Sequence, residues 1–146
     1  MLTAPIFHLC LHLGRLLEAR LAAELAPFGV GQGQARVLMA LVDSGPAGGA
    51  ALARRLMVSP PTMTLLVRAL EREGLVERRP GPDARGSGIL HPTARGRAAA
   101  RDVAAVWERV EADLRASAPA AEIRRRRSVL EAMRTALGGA DPEGAP

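Results

Sequence analysis

Residues 59–74 read Ser59-Pro60-Pro61-Thr62-Met63-Thr64-Leu65-Leu66-Val67-Arg68-Ala69-Leu70-Glu71-Arg72-Glu73-Gly74, and this stretch is marked as one helix at both ends. Ser59 is a good N-cap, because its hydroxyl can accept from an amide that the first turn otherwise leaves unpaired. Pro60 and Pro61 fall in that first turn, where a missing N–H costs little and a fixed φ suits the helix. Gly74 ends it, as a residue able to take the left-handed conformation just past the last turn. Between the caps, Met63, Leu66, Val67 and Leu70 recur at spacings of three and four and form one apolar stripe. Thr62, Thr64, Leu65, Arg68 and Arg72 fall on or near the opposite side. Small hydroxyls and arginines beside a buried stripe suit a helix pressed into a DNA major groove. An amphipathic helix with a merely solvated polar face has the same pattern.

The rest of the composition narrows the choice. At 146 residues the chain is long enough for one domain with a sizeable core and too short for two ordinary ones. Phe7, Phe28 and Trp107 are its only large aromatics. That argues against the aromatic stacking platforms of single-strand and RNA-binding sheets. A core of Leu, Ala, Val and Met favours helices. The net charge is +5, and every one of the 20 basic residues is arginine. Between Ala50 and Arg101, ten arginines face four acids (Glu71, Glu73, Glu77, Asp83), a net +6; elsewhere ten face eleven, a net −1. High-GC codon usage accounts for arginine in place of lysine, but not for the clustering. A local excess of this kind suits a polyanion, because each neutralised phosphate releases counterions. No stretch reaches the ~20 uncharged apolar residues of a membrane helix. The start has no basic segment before its apolar run, so no signal peptide is expected. A single cysteine, Cys10, forbids an internal disulfide and suits a reducing cytoplasm.

Working outward, the spacing predicts a first helix from Pro5 to about Ala26, with Leu9, Leu13, Leu16, Leu17, Leu21 and Leu25 on one face. Phe7 and Leu11 make its first half apolar nearly all round, which calls for more than one packing partner; a second subunit is the simplest. A second helix is expected from Gly33 to Val42, and a short third from Gly49 to Met57 with Arg54 and Arg55 outward. Val58 and Ser59 then lead into the capped helix, a helix-turn-helix whose turn lacks glycine. Leu75 to Arg79 alternates as a strand does, residues 80–88 are dense in turn formers, and Ile89-Leu90-His91 returns before Pro92. This is a hairpin wing with arginines at its tip. Thr93 caps a long helix to about Ser117, and Ala121 to Leu137 forms the last. The expected fold is therefore mainly α with a small β-hairpin wing: a winged helix-turn-helix plus an α-helical dimerisation region. As one structural domain, it divides into a dimerisation helix (1–28), a winged helix-turn-helix (33–92), long dimerisation helices (93–138) and a disordered tail (139–146).

The order of elements and the local motifs resemble the MarR family of winged-helix transcription regulators. The residues that carry the resemblance are Ala53, then Ser59-x-x-Thr62-x-Thr64-x-x-Val67-x-x-Leu70-Glu71-x-x-Gly74-Leu75-Val76. Arg78, Asp83-x-Arg85 and Thr93-x-x-Gly96 continue it, and it covers roughly residues 5–138. The resemblance implies a homodimer built by the first and last helices, with one recognition helix and one wing per subunit offered to DNA. It also implies that Arg85 approaches the minor groove while Asp83 helps to hold it. Three departures stand out. One extra residue lies between Asp83 and Thr93. Pro92 replaces an apolar strand residue, so the second wing strand is expected to be short or bulged. Leu65 occupies a position that is often polar, where it either meets a thymine methyl or packs inward.

On this reading Ser59, Thr62, Thr64, Leu65, Arg68, Arg72, Arg54, Arg55, Arg78, Asp83 and Arg85 form the DNA-binding set. Thr62, Thr64 and Arg68 are the base or phosphate contacts, and Arg54, Arg55 and Arg72 mostly phosphate contacts. The expected function is a sequence-specific double-stranded DNA-binding regulator, a ligand- or stress-responsive repressor on a palindromic operator. The rivals are a sequence-independent architectural DNA-binding protein and a winged-helix protein-interaction module. No cofactor is expected, and no membrane partner. His8 and His12, at i and i+4, form a candidate metal pair that lacks a third ligand. Cys10 is a candidate redox site beside its simpler reading as a packed small hydrophobe, and Trp107 a candidate wall of an effector pocket beside its reading as core. Residues 124–127, four arginines in a row, suit a solvated helix face or an inter-subunit ion network better than DNA. Nothing points to an enzyme: there is no Gly-rich phosphate loop, no nucleophile with a plausible base and no paired carboxylates in an apolar setting.

Overall fold

The computed structural model describes residues 5–81 and 88–139. Helix α1 (Ile6–Leu25) runs through a short 3-10 turn (Ala26–Phe28) into α2 (Gln32–Ser44). Strand β1 (Ala47–Gly48) precedes α3 (Gly49–Arg55) and α4 (Pro60–Arg72). Strands β2 (Val76–Arg79) and β3 (Ile89–Pro92) follow, then the long α5 (Ala94–Ala116) and α6 (Ala120–Ala136). One core joins these elements: Leu25 of α1, Leu38 and Leu41 of α2, Leu52 of α3, Leu70 of α4, Leu90 of β3, and Val103 and Val106 of α5 are all fully buried.

Helix α4 is built as its sequence predicts. Ser59 Oγ accepts from the Thr62 N–H at 3.3 Å, and Met63, Val67 and Leu70 are buried. At its end the Leu75 N–H reaches back to the Leu70 carbonyl (2.9 Å) and the Gly74 N–H to that of Glu71 (3.0 Å), with Gly74 at φ +66°. This is a Schellman closure with glycine in the left-handed position. The turn between α3 and α4 closes the same way without glycine. Val58 donates to the Ala53 carbonyl (2.9 Å) and Met57 to that of Arg54 (3.2 Å), and Met57 itself takes φ +54°. The turn thus keeps the geometry of a helix-turn-helix while a methionine bears the steric cost of the left-handed conformation.

The wing carries one strand more than the expected hairpin. The sheet is antiparallel in the order β1-β3-β2, with Ala47 opposite Leu90 and Gly48 opposite Ile89 on one side of β3. On the other side Val76 faces Pro92, Glu77 faces His91, Arg78 faces Leu90 and Arg79 faces Ile89. Of the two outcomes expected for the second wing strand, it is short, four residues, and not bulged: the pairing is continuous over all of β3. Pro92 is tolerated because it is the last residue of the strand, where a missing N–H interrupts no ladder. The wing tip, residues 82–87, and the tail from residue 140 onward lie outside the described residues.

Where α4 ends, the chain turns into the sheet and α5 begins, and three backbone segments meet. The Thr93 hydroxyl donates to the Gly74 carbonyl (2.7 Å) and accepts from the Gly96 N–H (3.0 Å), capping α5. The Thr93 N–H donates to the Leu75 carbonyl (3.0 Å). Gly96 permits the approach: a Cβ there would stand 2.0 Å from the Leu75 carbonyl oxygen. Farther along, Arg20 of α1 donates to Glu24 (2.8 Å) and to Asp113 of α5, and Arg109 of α5 donates to Glu24 (3.0 Å). The hydrogen bond from Arg20 holds the Glu24 carboxyl below its ordinary range, with Arg109 adding to it against partial desolvation.

The apolar face predicted for α1 is only partly used inside the chain. Leu25 is buried and Leu21 packs on the core, whereas Leu9, Leu13 and Leu16 stand more than half exposed beside Ile6, Phe7 and Leu11. Helix α6 buries no residue at all, and its Val129 and Leu130 are exposed, as is Leu137 just past its end.

The joint at Gly96 gives a direct test. Gly96→Ala should lower the stability to urea unfolding by about 2–3 kcal/mol, since backbone rather than a flexible side chain blocks the added methyl. Thr93→Ala should cost about 1–2 kcal/mol and Thr93→Ser much less, because serine keeps the capping hydroxyl.

Candidate nucleic-acid interface

The outer face of α4 collects the residues singled out in the sequence. Ser59, Thr62, Thr64, Leu65, Arg68 and Arg72 are all exposed, on the side away from the buried Met63, Val67 and Leu70. Their hydroxyls are organised by the helix itself. Ser59 Oγ and Thr62 Oγ1 are joined by one hydrogen bond of 2.8 Å that either can donate, while Thr64 Oγ1 donates to the Pro60 carbonyl at 3.0 Å. Each remains able to accept from outside. Leu65 does not pack inward: it is 65% exposed. The apolar half of the face continues onto Met57 in the preceding turn, 58% exposed.

Arginines surround this face, and they divide into two kinds. Arg54 at the end of α3, with Arg68 and Arg72 on α4, are exposed and form no ion pair with any described residue. Arg55, expected to point outward with Arg54, is half-buried and donates to Ser44 Oγ, tying α3 to the end of α2. Arg78 on β2 donates to Glu71 of α4 at 3.1 Å, and Arg79 donates to Glu77 at 2.8 Å. Two of the acids of this region are thereby engaged by the wing strand. Asp83 and Arg85 lie outside the described residues.

Sequence reasoning missed Arg36. It is exposed on α2, and its Nη2 donates to the Leu56 carbonyl at 2.9 Å, bracing the turn that launches α4. A lone arginine on the polar face of a helix carries no signal of such a contact. The half-formed cap of α2 was also unreadable: Gln34 Oε1 accepts from the Gly31 N–H at 2.6 Å, with no side chain on Gly31 to reciprocate.

The remaining candidates lie elsewhere. His8 and His12 line an open hollow of about 550 Å³ on α1, together with Leu9, Arg15 and Leu16. Among the described residues no group of three His, Cys, Asp or Glu is placed to hold a metal ion. Cys10 is half-buried on the same helix. Trp107 is half-buried against the core and donates through Nε1 to Gln32 Oε1 at 3.3 Å, linking α5 to the start of α2. Of residues 124–127, Arg127 is paired with Glu131 at 3.0 Å on the exposed surface of α6. No helix of the described residues is long and apolar enough to cross a membrane.

Comparisons with known proteins converge on one family. The family model described as MarR family matches residues 31–85, from the start of α2 to the wing. The HTH-type transcriptional repressor Rv2887 of Mycobacterium tuberculosis is 34% identical over 131 residues, spanning 88% of this chain and 92% of that protein. The crystal structure of that MarR family protein in complex with DNA superposes with a TM-score of 0.71 at 30% identity, covering 90% of this chain and 98% of the other. Its complex with salicylic acid superposes with a TM-score of 0.65, also at 30% identity, over 90% and 97% of the two chains.

The cap that sets the direction of α4 can be tested apart from any ligand. Ser59→Ala should lower thermal stability by about 1 kcal/mol, and Ser59→Asp should restore it, since aspartate caps as well as serine does.

Proposed function

The chain belongs to the MarR family, and from that premise we propose that it is a sequence-specific double-stranded DNA-binding transcriptional regulator. In this reading it is a repressor that acts as a homodimer on a palindromic operator in the cytoplasm. The single observation that carries the reading is the outer face of α4, where two threonines and a leucine are exposed between arginines that no described acid neutralises. A chain 34% identical is named a transcriptional repressor, and its structure in complex with DNA has the same fold.

The mechanism follows from the geometry. Helices α3 and α4 form the helix-turn-helix, and α4 enters the major groove with its N-terminal half leading. Thr62, Thr64, Leu65 and Arg68 face the base edges, while Arg54 and Arg72 neutralise phosphates on either side. Ser59 ends the approach at the amino terminus of α4, where Pro60 and Pro61 carry no N–H and Ser59 occupies that of Thr62, so phosphate contact there falls to hydroxyls and arginines. Arg78, held by Glu71, sits on β2 at the root of the wing and adds a further cation beside α4. Arg55, turned toward Ser44, braces α3 and adds only its charge.

A second subunit supplies what α1 and α6 lack. The exposed Ile6, Phe7, Leu9, Leu13 and Leu16, with Val129 and Leu130, form the dimer surface. A two-fold axis then sets two copies of α4 in successive major grooves, ~34–36 Å apart. The division into dimerisation helix, winged helix-turn-helix and long helices follows from these roles. A small-molecule effector acts by shifting the population between dimers that match this spacing and dimers that do not. The salicylic acid complex of the relative supports an effector of that size. No catalytic role is assigned.

Duplex selection from a random pool, followed by binding titrations at two salt concentrations, tests this reading. One sequence should be retained at raised salt, where purely electrostatic binding is lost. Arg72→Ala should weaken binding to all duplexes and flatten the slope of log K against log salt by about 0.9 per subunit. Arg68→Ala should cost about 1–3 kcal/mol and relax the preference at one position of each half-site. Equal retention of every duplex would favour an architectural protein, and retention of none a protein-docking module.

A further inference from the structure

We infer that Leu65 reads the C5-methyl group of a thymine, making it the residue that selects this base at one position of each operator half-site. The inference rests on the proposed DNA-binding role of α4 and names the chemical group that the helix recognises.

Leu65 is 65% exposed on a helix whose apolar side is otherwise spent on the core. At about 100° per residue it lies within about 30° of the direction opposite Met63, Val67 and Leu70, between Thr62 and the pair Arg68 and Arg72. It therefore stands at the crest of the face, not on its flank, and any surface that meets this face meets Leu65. An aliphatic side chain can offer only apolar contact. Across a major-groove floor the base edges present carbonyls, ring nitrogens and amino groups, and the one apolar feature is the pyrimidine methyl. Set against a guanine or an adenine edge, Leu65 strips water from polar atoms and returns no hydrogen bond, which is unfavourable.

The neighbouring hydroxyls leave this task to Leu65. The Thr64 proton is committed to the Pro60 carbonyl, and the hydrogen bond between Ser59 and Thr62 takes up one of their two protons, leaving one hydroxyl free to donate. The first turns of α4 accordingly present acceptors and methyl groups but few free donors, and purine acceptor edges need donors. Arg68, one turn beyond, is the main donor of the set.

The test uses the full chain and its selected duplex with thymine replaced by deoxyuridine, one position at a time. Uracil pairs as thymine does and lacks only the methyl. One thymine per half-site should respond, with about a fourfold loss of affinity for one methyl removed and about fifteenfold for both half-sites. Leu65→Ala should bind the thymine and uracil duplexes alike, and Leu65→Met should keep the preference. Placing 5-methylcytosine at the same position should recover part of the affinity relative to cytosine. Thermal unfolding of the variants should be unchanged, because Leu65 contributes nothing to the core. A flat deoxyuridine scan, or the same uracil penalty in Leu65→Ala, overturns the inference while leaving sequence-specific binding intact. If the unmodified protein selects no duplex, the DNA-binding reading falls first and this one with it.

Discussion

The hydroxyl of Thr93 and the missing side chain of Gly96 set the relation between the two halves of this molecule. One oxygen ties the Gly74 carbonyl, just past α4, to the Gly96 amide in the first turn of α5, and Gly96 lets α5 press on the Leu75 carbonyl at a distance no Cβ allows. The Thr93 amide closes on that same carbonyl. Four backbone polar groups around the two helix ends are thus paired, two through the Thr93 hydroxyl and two with each other. Helices α4 and α5 are thereby joined end to end with almost no loop between their termini and the sheet. Trp107, bonded to Gln32, makes a second tie between α5 and the start of α2.

Charge is distributed to match. Where the second half of α5 meets α1, arginines are balanced at close range: Arg20 and Arg109 share Glu24, and Arg115 pairs with Glu111. On α3 and α4 the balance is broken, since Arg54, Arg68 and Arg72 meet no described acid while Glu71 and Glu77 are taken by Arg78 and Arg79. Exposed pairs of this kind add little stability. Their effect is to remove negative charge from the neighbourhood of α4, so that the field outside it stays positive at the range set by ionic screening.

Most of the fold was legible because its signals are local. The caps of α4, the stripe Met63-Val67-Leu70 and the Thr93 cap depend on residues three or four apart, and each stands where it was expected. What escaped depends on distant partners or on single backbone angles. Strand β1 is two residues long, too short to show alternation, and exists because β3 passes beside it. Met57 carries a left-handed φ with no glycine to announce it. Arg36 and Arg55 act through a carbonyl and a hydroxyl that only folding brings near. Of the candidate site, the face of α4 was readable from spacing alone, while the split between free and braced arginines was not. The apolar residues of α1 and α6 were recognised as apolar, yet sequence could not tell which of them the chain would bury against itself.

That last distinction bears on how such a molecule can change shape. Motion is resisted where packing is dense and polar groups are paired, and the joint between α4 and α5 has both. Bending there would open the Thr93 bonds and expose Leu75 and Val76, which are buried. The first half of α1 and all of α6 make few contacts with the rest of the chain, and no α6 residue is buried by it. In the proposed dimer, a change in the separation of the two α4 helices is then a change in how whole subunits meet along α1 and α6, with each α4 carried as a rigid part of its own subunit. The tight joint makes this useful. Because α4 is held at this joint, a small rotation at the far ends of the long helices reaches the outer face of α4 undiminished.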